Sequence, residues 1–242
     1  MKFVFKPLSS WCLILAAALF LISGCKEDEP AAKAVPATVK DIDGNTYGTV
    51  KIGEQAWLKE NLKATRYSNG VPIFKIEDDT TWVNFKDGAY CNYDNNVDSV
   101  SVDSVALVYG RLYNWYAVVD SRNICSKGWH VPSNDEWQEL IDNSGGDGVA
   151  GISLKESGYA HWDTSYIATP PTNDKGFTAL PSGARVEGGA YTLLNSLTYW
   201  WATSEISDNY AKAISLSWNS NGTTRLQSTK YKGLSVRCIM DK

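Results

Sequence analysis

Apolar residues fall into three arrangements along the chain. Residues 11–22 form an uninterrupted apolar stretch behind Lys2 and Lys6. It is shorter than the roughly 20 residues that a spanning helix needs, and it matches the apolar region of an export signal. Residues 30–38, with two prolines and four alanines, carry no apolar periodicity and are expected to be a linker. From residue 39 onward the apolar runs are short and broken by Gly, Asn, Asp and Ser, which predicts strands joined by long loops.

Within that region, Asp43-Gly44-Asn45 flanked by Val, Ile and Tyr predicts a hairpin over 39–52. Helical spacing of Leu112, Trp115, Tyr116 and Val119 predicts a helix over 109–119. Ser133 and Glu136 stand in capping-box positions ahead of Trp137, Leu140 and Ile141, which predicts a second helix over 133–141. Segments 177–180, 199–203, 211–218 and 234–240 read as strands. Strict alternation through Tyr199-Trp200-Trp201 would bury one face and present the other. Few helices followed by many strands indicate an α+β fold. The expected organisation is a signal peptide over 1–24, a lipidated tether over 25–38 and a single globular domain over 39–242.

The signal ends in Leu21-Ile22-Ser23-Gly24-Cys25, which resembles the lipobox of bacterial lipoproteins. That resemblance implies cleavage before Cys25 and lipid on its thiol and amine, each buried methylene contributing about 0.8 kcal/mol of anchoring. The following Lys26-Glu27-Asp28-Glu29 is similar to the export tag of Bacteroidetes-type lipoproteins. The expected location is therefore the outer membrane, exposed at the cell surface, with its periplasmic face as the alternative.

Hydrophobic residues make up 43% and charged residues 21% of the chain, so a packed core is expected rather than disorder. Ten Trp and 13 Tyr against two Met mean that large amphipathic rings must build much of that core or surface. The formal charge of -4 becomes -6 without Lys2 and Lys6, leaving 21 basic residues against 27 acidic. Such a surface repels phosphate backbones, and no basic run offsets it, so nucleic acid is not an expected partner.

Five blocks in one order carry a family resemblance: Gln55-Ala56-Trp57-Leu58-Lys59-Glu60-Asn61-Leu62; Tyr109-Gly110-Arg111-Leu112-Tyr113-Asn114-Trp115-Tyr116-Ala117; Cys125-Ser126-Lys127-Gly128-Trp129-His130-Val131-Pro132-Ser133 through Glu136-Trp137; Gly176-Phe177-Thr178-Ala179-Leu180-Pro181-Ser182-Gly183; and Ser235-Val236-Arg237-Cys238. Together they resemble the Fibrobacter succinogenes major paralogous domain over residues 39–242. Its second half is similar to C-type-lectin-like folds and to the formylglycine-generating-enzyme group. The resemblance implies a compact C-type-lectin-like domain with two helices, a twisted antiparallel sheet and long loops that bind ligands.

Cys12 leaves with the signal and Cys25 carries lipid, so Cys91, Cys125 and Cys238 remain in an oxidising compartment, enough for one bridge. The resemblance places Cys125 beside Cys238, which leaves Cys91 free as a small buried residue.

Catalytic chemistry finds little footing. His130 and His161 are the sole histidines, and neither has an activated Ser or Cys beside it in sequence, so a triad is unsupported. There is neither a CxxC nor an HxxxH pair for zinc. Formylglycine formation relies on paired C-terminal cysteines, whereas Cys238 stands alone, so the resemblance transfers fold and not activity. Calcium has weak candidates in Asp94, Asn96, Asp98 and Asp103, but Ser99 and Val105 occupy the places of the EF-hand Gly and Glu. No cofactor is expected. Trp162, Trp200, Trp201, Trp218 and Asn219 are the candidates for contacting a ligand, because flat rings stack on sugar faces. The expected function is a non-catalytic lipoprotein that binds an extracellular glycan or protein. The alternatives are a structural component of the envelope and, less favoured, an enzyme of unknown type. Ligand identity and oligomeric state stay open at the level of sequence.

Overall fold

A computed structural model describes residues 1–4, 33–93, 102–165 and 169–242, the side chains of Val102 and Asp103 excepted. Residues Met1–Lys33 and Ala34–Lys242 are separate units, and the fold belongs to the second. No described helix is long and apolar enough to cross a membrane. Cys25 and most of the expected tether lie outside the described residues.

The domain opens with an antiparallel hairpin of β1 (Thr38–Lys40) and β2 (Thr46–Ile52), in register at Val39 and Tyr47. Its turn is organised by Asp41, whose carboxylate accepts from the amides of Asp43 and Asn45, the Asn45 side chain and the Tyr47 hydroxyl at 2.7–3.0 Å. Gly44 takes φ +88°, a left-handed conformation that costs glycine little. β3 (Gln55–Leu58) pairs with β2, and its other edge receives β13 (Ile239–Met240), which also pairs with β7 (Trp129–His130). The first sheet thus runs β1-β2-β3-β13-β7.

A second sheet has the order β12-β11-β10-β8-β9. It comprises β8 (Ser182–Arg185), β9 (Tyr191–Leu194), β10 (Leu197–Glu205), β11 (Tyr210–Ser217) and β12 (Thr223–Thr229), antiparallel except where β10 meets β8. A small third sheet joins β4 (Phe74–Lys75), β5 (Ala89–Cys91) and β6 (Leu112–Tyr113). The helices are α1 (Asp79–Asn84), α2 (Val102–Tyr109), α3 (Trp115–Val118), α4 (Asn134–Asn143) and α5 (Ala150–Leu154). The chain is α+β, but the described residues form five short helices instead of two and three sheets, partly parallel, instead of one antiparallel sheet.

Three local expectations are corrected. The helix over 109–119 is broken at Gly110, where φ is +82° and a Cβ would lie 2.6 Å from the Asn61 side chain. β6 follows, and α3 restarts with Asn114 as its cap, whose side chain accepts from the Ala117 amide. Segments 177–180 and 234–240 are largely irregular: Ala179 makes one bridge to Lys155, Leu234 and Ser235 bridge Tyr113 and Trp200, and the ladder resumes at Ile239. Their backbone groups are satisfied singly instead, as where the Val236 carbonyl accepts from Leu62 and the Cys238 carbonyl from Leu58.

α4 forms as expected, with the reciprocal capping box between Ser133 and Glu136 and with Trp137, Leu140 and Ile141 buried. It packs over an aromatic cluster of Trp57, Trp137, Phe177 and Trp200, with successive ring centroids 4.8–6.2 Å apart. Arg237 enters this apolar region with no carboxylate in hydrogen-bonding contact among the described residues. Its guanidinium donates to the carbonyls of Leu58, Lys59 and Phe177 and to Asn61 Oδ1, and stands 4.4 Å from the Phe177 ring. Burial pulls its pKa down to about 9, which leaves it charged at neutral pH. Nearby, Cys125 is bonded to Cys238, while Cys91 is a buried free thiol whose pKa burial pushes up to about 11.

Candidate ligand-binding cleft

Three loop segments meet at one end of the second sheet: residues 156–165 after α5, the two-residue turn Asn195-Ser196 between β9 and β10, and the β11–β12 turn. Backbone bonds stitch them together, from Asp163 N to the Asn195 carbonyl at 2.7 Å and from Trp218 N to the Ser196 carbonyl at 2.8 Å. Lys155 anchors the floor. Its buried ammonium donates to the carbonyls of Ser217 and Ser220 and lies 5.0 Å from the Trp162 ring centroid. Among the described residues no carboxylate compensates this burial, which pulls the Lys155 pKa down to about 8. The amine thus serves as a tie holding the β11–β12 turn.

Above this floor opens a cleft of about 480 Å³, lined chiefly by Tyr159, His161, Asp163, Thr164, Asn195 and Ser196. His161 Nδ1 lies 2.9 and 2.8 Å from the two Glu156 oxygens, which fixes the proton on Nδ1 and leaves Nε2 as an acceptor in the neutral ring. The Tyr109 ring meets His161 edge-on at 5.5 Å, and its hydroxyl donates to Asn195 Oδ1 at 2.8 Å, leaving the Asn195 amide nitrogen available. Asp163 Oδ1 accepts from the hydroxyl and amide of Ser165, and these bonds hold the carboxyl below its ordinary pKa. Its Oδ2 has no bond among the described residues. Tyr159 is 47% exposed. Leu193 and Asn195 both take φ +66°; for a leucine this is an outlier, and such strain concentrates at functional sites.

The sequence-selected residues divide. Trp218, half-buried, and Asn219, exposed, lie on the β11–β12 turn beside the cleft. Trp162 lines the cleft but is 3% exposed, its indole N–H donating to the Ala179 carbonyl at 3.0 Å, so its ring belongs to the floor. Between Lys155, Trp162, Thr169, Pro171 and Trp218 only about 10 Å³ remains, too little for a ligand. Trp200 and Trp201 are corrected as ligand contacts: both are fully buried. β10 runs between two apolar clusters, Trp200 facing one and Trp201 the other, so alternation buries both faces of the strand. The weak calcium candidates Asp94, Asn96 and Asp98, and the side chain of Asp103, lie outside the described residues. Among the described residues no three His, Cys, Asp or Glu side chains converge to hold a metal ion.

Tyr109, Glu156, His161, Asp163 and Asn195 were not singled out from sequence as ligand contacts. They come from three separate segments, and no motif links them. His130 is the instructive contrast, since its Nδ1 meets Asp241 at 2.7 Å and its Nε2 meets Glu136 at 2.9 Å, leaving neither nitrogen for a ligand. A second cavity of about 340 Å³ is lined by Lys40, Asp41 and Lys127 among others, but the Asp41 oxygens already accept four bonds within the first hairpin.

Fold and cleft together define an α+β module with a rigid aromatic core and a polar depression built from loops. The chain belongs to the Fibrobacter succinogenes major domain family, whose model matches residues 50–240. That span runs from within β2 to the closing strand β13. No curated protein and no solved structure matches it.

Proposed function

We propose that this chain is an outer-membrane lipoprotein, anchored through Cys25 and exposed at the cell surface, that binds an extracellular glycan or protein without transforming it. The domain works as a C-type-lectin-like head whose loops carry the ligand. The single observation that supports this reading most is the cleft: a depression of about 480 Å³ in which His161, Asp163 and Asn195 each keep one hydrogen-bonding atom unpartnered among the described residues. That volume falls within the range of small-molecule sites, and a few placed polar groups beside a half-exposed ring are what such sites use.

Two measurements test the proposal. Intact-mass analysis of protein from its native host should find Cys25 as the acylated N-terminus, and protease treatment of whole cells should release the domain. An unmodified N-terminus, or full protection in intact cells and release on outer-membrane permeabilisation, would remove the anchor or the outward location. Capture experiments with the purified domain should then retain a glycan or protein that a variant lacking the 156–165 loop does not.

A further inference from the structure

We infer that the cleft takes a neutral, hydroxyl-rich ligand, a sugar unit of an uncharged glycan, without a bridging metal. The inference rests on the binding reading above and narrows it to one chemistry. Asp163 Oδ2 is an acceptor that calls for an O–H donor, the Asn195 amide nitrogen is a donor that calls for an oxygen, and His161 Nε2 accepts in the neutral ring and donates in the protonated one. A pyranose hydroxyl both donates and accepts, so adjacent hydroxyls match this mixed set. The half-exposed Tyr159 ring offers an apolar surface for the C–H face of the same sugar.

Charge selects against the alternatives. No Lys or Arg lines the cleft among the described residues, whereas Asp163 lines it and the Glu156 carboxylate lies directly behind His161. A uronate, sialate or phosphate would meet like charge with no cation to pair it. Calcium is equally ill-served. It takes 6–8 oxygen ligands, yet Glu156 has both oxygens on His161 Nδ1, and Asp163 is the one carboxylate left in the lining with an oxygen to give.

The test uses the full mature chain and an array of neutral and acidic oligosaccharides, followed by calorimetry with and without EDTA. Neutral glycans should bind, with affinity unchanged by EDTA. His161→Gln keeps a donor toward Glu156 and removes the ring nitrogen; Asn195→Gly suits the left-handed backbone and removes the amide. Each should weaken binding about tenfold, the worth of one good hydrogen bond. Near-UV circular dichroism checks folding, and if His161→Gln does not fold, Asn195→Gly alone decides. Binding of acidic but not neutral glycans, loss of binding in EDTA, or neutral binding indifferent to the folded variants would overturn this inference while leaving the domain a binder. A protein partner captured at this face, with the whole array silent, would do the same. Silence toward glycans and proteins alike would overturn both readings.

Discussion

The two histidines mark two regions built on opposite rules. His130 sits where β7, β13 and α4 meet, and carboxylates hold both of its ring nitrogens. Around it Arg237, Asn61 and the indoles of Trp57 and Trp200 likewise direct their polar atoms inward. His161 sits in a loop with a carboxylate on one nitrogen only, and Asn195 and Asp163 beside it are also half-satisfied. In the first region hydrogen-bonding capacity is closed, and the result is a seam; in the second it is left open, and the result is a candidate site. A histidine with a carboxylate neighbour is therefore no guide to function until its second nitrogen is accounted for.

The contrast breaks most severely at Arg237. Arg237→Met keeps the apolar stem but leaves the Leu58, Lys59 and Phe177 carbonyls without its guanidinium and Asn61 Oδ1 with the Trp200 indole N–H in place of three donors, and should cost about 4–5 kcal/mol in urea unfolding. A stable variant would mean that the seam does not depend on its buried cation. Next comes the bond from Cys125 to Cys238, which closes a loop of 113 residues. The double Cys→Ala variant should lose about 3 kcal/mol by the same measurement.

His130→Gln is expected to cost about 1 kcal/mol, because the three groups of this clamp are partly exposed and solvent screens them. Its pH dependence is the sharper signature. Hydrogen bonding to Glu136, and then to Asp241, outweighs burial and raises the His130 pKa, so its contribution is complete below the unfolded histidine value and fades as pH rises through the folded one. Burial alone would raise Glu136, but bonds from His130 and Ser133 hold it at about 2, so its contribution is present above the ordinary carboxyl range and is lost as pH falls toward that value. The gap between wild type and variant should peak from about pH 5 to 6 and narrow on either side. A gap that grew from pH 6 to 9 would contradict the arrangement. The smallest expected effect is that of His161→Gln on stability, within about 0.5 kcal/mol, although the same change should weaken the proposed binding. A large loss of stability there would make the second region another seam.

How much of this was legible depended on range. The Ser133–Glu136 capping box and the Asp43-Gly44-Asn45 turn are local devices, and both appear as the sequence pattern indicates. The Tyr199-Trp200-Trp201 alternation was read correctly as a strand but wrongly as half-exposed, because two apolar clusters flank β10 and no local pattern announces a second core. The helix over 109–119 failed at Gly110, whose left-handed backbone is required by the approach of Asn61, a residue far off in sequence. The cleft was the least legible part. Asn195 and Glu156 are ordinary turn and loop residues until folding brings them to Tyr109 and His161, although His161 and Trp162 did lie within a segment free of regular periodicity.

The position of β13 also bears on when the molecule acquires its shape during synthesis. β13, which joins β3 to β7 in the first sheet, lies more than a hundred and eighty residues after β3, and Trp57 waits for Ile239 before β3 gains its second neighbour. The nascent polypeptide therefore cannot complete this layer until Ile239 has been translated. Such distant pairing favours slow, late consolidation.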